Sequence, residues 1–294
     1  MQSTRLASIN KNLILSPSQE LYGLLIAPIK TYLPLSGTLV FTLDTSFQSL
    51  PIGLLHNGKD YLFKRYSIAQ TLNSRVRQPK LLPENQLRAL IGGLSEINPN
   101  FDTLNAIEGL KALPRVEEEI QDVKQQTSSS KVLLNEKFTS QALGQQLSSF
   151  NFPIVHLTTH AQFSSEAKRT MFFTWDKAIN ALEFYSLLKL SARSHEDGIE
   201  LLVLSACQTA KGNKRSALGI AGVAAQAGAR TTIATLWKVD ADSTALLMEQ
   251  FYKSLKNGVP KAEALRQAQL ILVSDSRYSH PFFWAGFILV GGWL

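Results

Sequence analysis

Apolar residues in this chain fall into short unbroken runs, separated by longer stretches whose apolar positions recur at helical spacing. The run from Thr38 to Asp44 (TLVFTLD) is rich in β-branched and aromatic residues and predicts a buried strand. Leu87 to Leu94 (LRALIGGL), Lys131 to Leu134, Phe152 to His160 (FPIVHLTTH), Leu201 to Cys207 (LLVLSAC), Thr231 to Trp237 (TTIATLW) and Phe283 to Val290 (FWAGFILV) predict further strands. Helical patterns cover Leu21–Lys30, Ser140–Leu147, Ala181–Lys189, Leu218–Ala227, Ser243–Leu255 and Lys261–Val273. Val116 to Val123 is charged at helical spacing and reads as a surface helix. Asn57-Gly58, with apolar runs on both sides, predicts a tight turn.

Unbroken apolar strands alternating with helices predict an α/β fold built on a parallel sheet, since only a sheet covered on both faces buries both sides of a strand. No Pro/Ser-rich linker cuts the chain. We therefore expect a lead-in over residues 1–20, weakly ordered or a short helix, and one domain over 21–294. No repeat with a period of 20 to 50 residues is visible.

Composition changes this picture little. The chain has 294 residues, 45% hydrophobic and 18% charged, which is ample for a large core. No stretch approaches the roughly 18 apolar residues of a membrane helix, and the first residues lack the apolar centre of a secretory signal. The expected setting is cytoplasmic, with no membrane partner. The net charge of +7 comes from scattered Lys and Arg, without the basic runs or aromatic interleaving of nucleic-acid binders, so nucleic acid is not an expected partner. The single cysteine, Cys207, excludes an intrachain disulfide and a thiolate-rich zinc site.

In an open parallel sheet, ligands bind beyond the carboxyl ends of the strands. His160, Cys207 and Trp237 stand at those positions. The first two are a base and a nucleophile of the kind a thiol hydrolase uses. His156 and His160 are four apart, which on a helix would suit a metal. On a strand they stand about 13 Å apart at roughly 3.3 Å per residue, too far to share an ion. His156 is expected to be hydrogen-bonded within the fold.

These residues resemble a family. His156-Leu157-Thr158-Thr159-His160-Ala161 looks like the histidine motif of CHAT domains, usually written HLATHG, and Leu204-Ser205-Ala206-Cys207-Gln208-Thr209 looks like their LSACET motif. Leu236-Trp237-Lys238-Val239-Asp240 with Thr244, the helical segments around Phe251–Leu255 and Ala264–Gln269, and the closing His280 to Phe287 resemble the segments that follow. Leu50 to Leu55 with Tyr61-Leu62 resembles one upstream. The likeness runs from about Leu21 to the C-terminus.

The resemblance implies a caspase-like three-layer sandwich, a mostly parallel sheet with helices on both faces. It further implies a cysteine endopeptidase with His160 as general acid/base and Cys207 as nucleophile, the backbone N–H groups of Cys207 and Ala161 holding the oxyanion, and no metal or organic cofactor. Trp237, Asp240 and Asp242 are expected to bind substrate, an acid there selecting a basic residue; the alternative is that these aspartates cap the next helix. The expected partners are a protein or peptide substrate and, because CHAT domains often sit behind tetratricopeptide repeats, a repeat protein or other regulator.

Three departures from the family pattern stand out. Ala161 replaces a glycine, a strained change if the position needs positive φ. Gln208 replaces a glutamate. The stretch Ala210 to Arg215 is basic where the family carries glycines and an acid, and a cationic loop there would favour a thiolate. The competing reading is a non-catalytic CHAT scaffold serving as an interaction module, which Ala161 favours. A nucleotide-binding domain needs a phosphate loop, and neither GxGxxG after a strand nor GK[ST] is present.

Overall fold

The computed structural model describes residues 11–44, 47–71, 80–99, 111–162, 170–194, 198–208 and 217–294, with the backbone alone for 11–12, 193, 206–208 and 217–221. The basic stretch from Ala210 to Arg215 lies outside the described residues.

Among the described residues ten strands form one sheet: β1 (Gly37–Thr42), β2 (Tyr66–Thr71), β3 (Arg88–Gly93), β4 (Ser129–Leu134), β5 (Ile154–Gln162), β6 (Met171–Phe173), β7 (Ala178–Asn180), β8 (Leu201–Gln208), β9 (Thr231–Thr235) and β10 (Phe287–Gly291). Their spatial order is β1-β2-β10-β9-β8-β5-β3-β4, with the hairpin β6–β7 attached to the end of β5. All neighbours along the main path are parallel except β10 and β9. The longer helices are α1 (Lys11–Leu25), α2 (Val116–Gln126), α3 (Ser140–Ser149), α4 (Ala181–Ser194), α5 (Ala217–Ala227), α6 (Ala241–Lys256) and α7 (Lys261–Ser274).

Both faces are covered, as the unbroken apolar strands require. On one face Val155, Leu157, Leu202 and Leu204 pack against Leu143 and Leu147 of α3, Phe184 and Leu188 of α4 and Ala224 of α5. On the other, Ala89, Ile91, Ile154, Leu201, Val203 and Ile233 meet Val116, Ile120 and Val123 of α2, Met248 and Phe251 of α6 and Leu265 of α7. The result is the expected α/β three-layer sandwich.

Several local expectations hold. Asn57 Oδ1 accepts from the N–H groups of Lys59 and Asp60, Gly58 takes φ +96°, and His56 bridges to Tyr61 across the turn. The helix expected from Leu21 instead begins at Lys11 and runs unbroken across residue 20, giving way to a 3-10 helix at Ala27–Tyr32. The helix over 116–123 is half buried: Val116, Glu119, Ile120 and Val123 form its inner face. The expected strand from Phe283 to Val290 is a correction. Pro281–Trp284 form a helical turn that starts at proline and is capped by His280, whose Nδ1 accepts from the Phe282 N–H, and the strand begins at Phe287. β2 went unpredicted because Ser67, Gln70 and Thr71 break its apolar run, yet all three are buried; Ser67 donates to Glu263, Thr71 pairs with Thr42, and Gln70 donates to the Leu50 carbonyl.

Candidate functional site

Chain connections decide where a site can form. From β3 the chain crosses one face through α2 to β4, whereas from β5 it crosses the opposite face through α4 to β8. The crossovers diverge between β3 and β5, which leaves a crevice beyond the carboxyl ends of these strands. His160 stands at its edge, near the end of β5.

β5 and β8 run parallel in a register that sets His156 beside Val203, Thr158 beside Ser205 and His160 beside Cys207. The pleat gives positions 154, 156, 158 and 160 one face of the sheet, and register partners in a parallel pair share a face. Adjacent strands lie about 4.8 Å apart, so the backbones at 160 and 207 are near neighbours.

His160 is 5% exposed. Its Nε2–H donates to the carbonyl oxygen of Lys111 at 2.8 Å. Nδ1 is buried and has no hydrogen-bond partner among the described residues. The carbonyl accepts only, so this bond fixes the Nε2–H tautomer and leaves the Nδ1 lone pair as the ring's open basic position. The Phe173 ring stands edge-on to the imidazole, 6.5 Å between centroids. A small hollow of about 20 Å³ lies beside it, walled by Leu94, Ile97, Phe173 and Trp175. Burial lowers the His160 pKa below the ordinary 6.5; the Lys111 carbonyl acts the other way, and Lys238 adds a smaller downward push. The imidazole is therefore neutral at pH 7.

His156 has the opposite character. It is wholly buried; Nδ1 lies 3.1 Å from the Tyr252 hydroxyl and Nε2 lies 3.1 Å from Glu119 Oε1. With Nε2–H donating to the carboxylate and Tyr252 O–H donating to Nδ1, both nitrogens are satisfied. Thr158 donates its hydroxyl to Glu119 Oε2 at 3.0 Å. Of the two histidines of one strand face, one is closed within the fold and the other keeps a lone pair.

The remaining sequence-derived residues are placed as follows. Ala161 is fully buried, stands opposite Gln208 in one ladder and Phe172 in the other, and is absent from the positive-φ residues, so the methyl group introduces no backbone strain. Trp237 donates its Nε1–H to the Phe282 carbonyl and covers Gly286 so closely that a Cβ there would meet the indole at 2.8 Å. Asp240 caps α6, Oδ1 accepting from Ser243 N–H, the alternative weighed for it above. Asp242 is half exposed and pairs with Arg115 at 2.6 Å.

Two participants escaped the sequence reading. The Lys111 carbonyl is a backbone group that no residue pattern marks. Glu119 did leave a signal: it lies on the Val116–Ile120–Val123 stripe, an acid facing the core. Among the described residues no group of His, Cys, Asp and Glu is arranged to hold a metal, and no helix is long and apolar enough to cross a membrane.

The family model for the CHAT domain matches residues 15–292. Tetratricopeptide repeat protein 28 of Mus musculus is 34% identical over 96 residues, and its Homo sapiens counterpart 33% over 96. That stretch is 32% of this chain and 4% of either relative, so the chain spans only a small part of the curated relatives it matches. Among solved structures, the Arg-specific cysteine proteinase gingipain R is similar with a TM-score of 0.55 at 10% identity, over 97% of this chain and 68% of that one. The Saccharomyces cerevisiae separase–securin complex is similar at 0.50 and 11% identity, over 86% of this chain and 15% of that one. At such identities the likeness is one of fold. The chain therefore belongs to the CHAT domain family and shares its α/β fold with these structures.

Proposed function

We propose that this protein is a cysteine endopeptidase in which His160 and Cys207 act as a dyad. One observation carries the reading: a neutral, backbone-anchored imidazole, whose Nδ1 has no partner among the described residues, stands in parallel register with the only cysteine of the sequence. Nδ1 takes the thiol proton as the sulfur adds to the scissile carbonyl, forming the C–S bond. The backbone N–H groups of Cys207 and Ala161 hold the oxyanion. When the C–N bond breaks, the imidazolium returns that proton to the leaving amine. Water then attacks the thioester, His160 taking its proton, and the thiol is regenerated. The Lys111 carbonyl keeps Nε2–H in place throughout, so the ring always presents Nδ1.

Substrate recognition falls to the segment that carries Trp237, Asp240 and Asp242, with selection by charge left to Asp242. With Trp237 holding the closing turn and Asp240 capping α6, Asp242 is the acid most available to a cationic side chain, which would compete with Arg115 for it. The curated relatives are named for tetratricopeptide repeats, and a repeat protein that presents the substrate is the partner this reading expects.

Mapping new protein N-termini in cells that express the wild type, Cys207→Ala or His160→Ala tests the proposal. Cleavage products should occur with the wild type alone, and iodoacetamide should label Cys207 faster in the wild type than in His160→Ala. Identical N-termini in all three, with a biological effect that survives Cys207→Ala, would establish the non-catalytic scaffold instead.

A further inference from the structure

We infer that Glu119 is a positioning residue for His160, acting through the helix that it fastens to β5. The inference rests on the peptidase reading for its kinetic consequence, but its geometry stands without it.

Lys111, whose carbonyl fixes the His160 tautomer, lies just before α2. Between them the chain is tied at Leu113 both to the strand-end residue Ser95 and to the first turn of α2. Leu113 N–H donates to the Ser95 carbonyl (2.9 Å), Val116 N–H to the Leu113 carbonyl (3.1 Å), and Ser95 Oγ to Glu117 (2.8 Å). The segment therefore moves with the helix.

The helix is held to the sheet at two points. Near its start it lies so close to β3 that a Cβ on Gly93 would come within 2.8 Å of both Val116 and Ile120. Within the same turn Glu119 accepts from His156 Nε2 and Thr158 Oγ1, side chains four and two residues before His160 on the same face of β5. Tyr252 of α6 closes the far side of the His156 ring. Carboxylate, imidazole, threonine hydroxyl and phenol hydroxyl are all satisfied, so this buried polar group has one geometry, where an apolar contact would tolerate sliding.

A leucine or methionine at position 119 would fill the same inner stripe without desolvating a carboxylate. What the acid supplies is register: it ties the helix carrying Lys111 to the strand carrying His160. If α2 slides, the Nε2–H···O=C bond lengthens, the proton is free to move to Nδ1, and the basic lone pair is lost.

The test compares Glu119→Leu with Glu119→Gln, which keeps an acceptor for His156. In ¹⁵N spectra of the histidine side chains, the wild type should show His160 as the Nε2–H tautomer. Glu119→Leu should show mixed tautomers, with kcat reduced roughly tenfold to a hundredfold at unchanged KM, the scale expected when a catalytic group is misplaced by about 1 Å. Glu119→Gln should restore most of both. Val123→Ala, a packing change on the same helix away from both points, controls for stability and should leave the His160 spectrum unchanged. A folded Glu119→Leu protein with a wild-type His160 spectrum overturns the inference. Should Glu119→Leu fail to fold, Thr158→Val removes one of the two donors and should give the same tautomer mixing at smaller amplitude, and an unchanged spectrum there overturns it equally. A wild type that cleaves nothing refutes the peptidase reading, and the spectra then decide the positioning role on their own.

Discussion

An alanine at Gly92 would place its Cβ inside the contact distance of Cε2 of Phe138, 2.8 Å from Cδ2 of the same ring and 3.0 Å from Cδ2 of Leu157. Carbon atoms in good contact sit about 3.5–4.0 Å apart, so one of these groups must yield. Neither has room. Phe138 and Leu157 are wholly buried; the ring stands edge-on to Phe172 at 6.4 Å, and the Phe138 carbonyl accepts from Trp175 N–H. Overpacking of this kind costs about 1–3 kcal/mol, and the rigidity of the ring puts this site in the upper half. Gly92 has no positive φ, so alanine also restricts the unfolded chain, returning roughly 0.5–1 kcal/mol. The net expectation is a loss of about 1–2.5 kcal/mol, read by urea denaturation, and a lower Tm by a few degrees. Phe138→Leu removes the ring edge that the methyl strikes, so the double variant should be less destabilised than the two single losses added, by about 1 kcal/mol or more. Strict additivity, or a Gly92→Ala protein within about 0.5 kcal/mol of the wild type, would show that the packing under the site is not as described.

Further outcomes follow from the site itself. His160 protonates in the fold below its unfolded value of 6.5, so at pH values between the two the unfolded chain binds more protons and stability rises with pH. Unfolding free energy should accordingly decline as pH falls from 7 through 6.5, and His160→Gln should flatten that slope. In peptide cleavage the acid limb of kcat/KM should lie below 6.5, and Lys238→Glu, which reverses a charge that lowers the His160 pKa, should move it upward, more at low salt than at high. Tyr252→Phe leaves His156 Nδ1 buried without its donor and should cost about 1–2 kcal/mol in urea denaturation. Asp240→Ala should cost about 1 kcal/mol through the lost cap without changing the residues chosen around the cut, whereas Asp242→Asn should weaken any preference for a basic one.

Most of the architecture could be read from the chain because its physical cause is local. Strands such as LLVLSAC are apolar on both sides, which only a doubly covered sheet accommodates, and the helices between them carry their own period. The positions of His160 and Cys207 at strand ends follow from the same pattern. What local pattern misled was decided by neighbours: Ser67, Gln70 and Thr71 look solvent-facing until Glu263, Thr42 and the Leu50 carbonyl satisfy them, and Phe283-Trp284 looks extended until Pro281 and the His280 cap turn it into a helix. The two histidines mark the boundary most plainly. The sequence places both on one strand face, four residues apart, and separates them by position alone, His160 at the strand end and His156 inside it. Only the fold brings Glu119 and Tyr252 to the nitrogens of His156 and a single backbone carbonyl to His160, because those partners lie 37, 96 and 49 residues away along the chain and meet the strand only once the helices pack on the sheet.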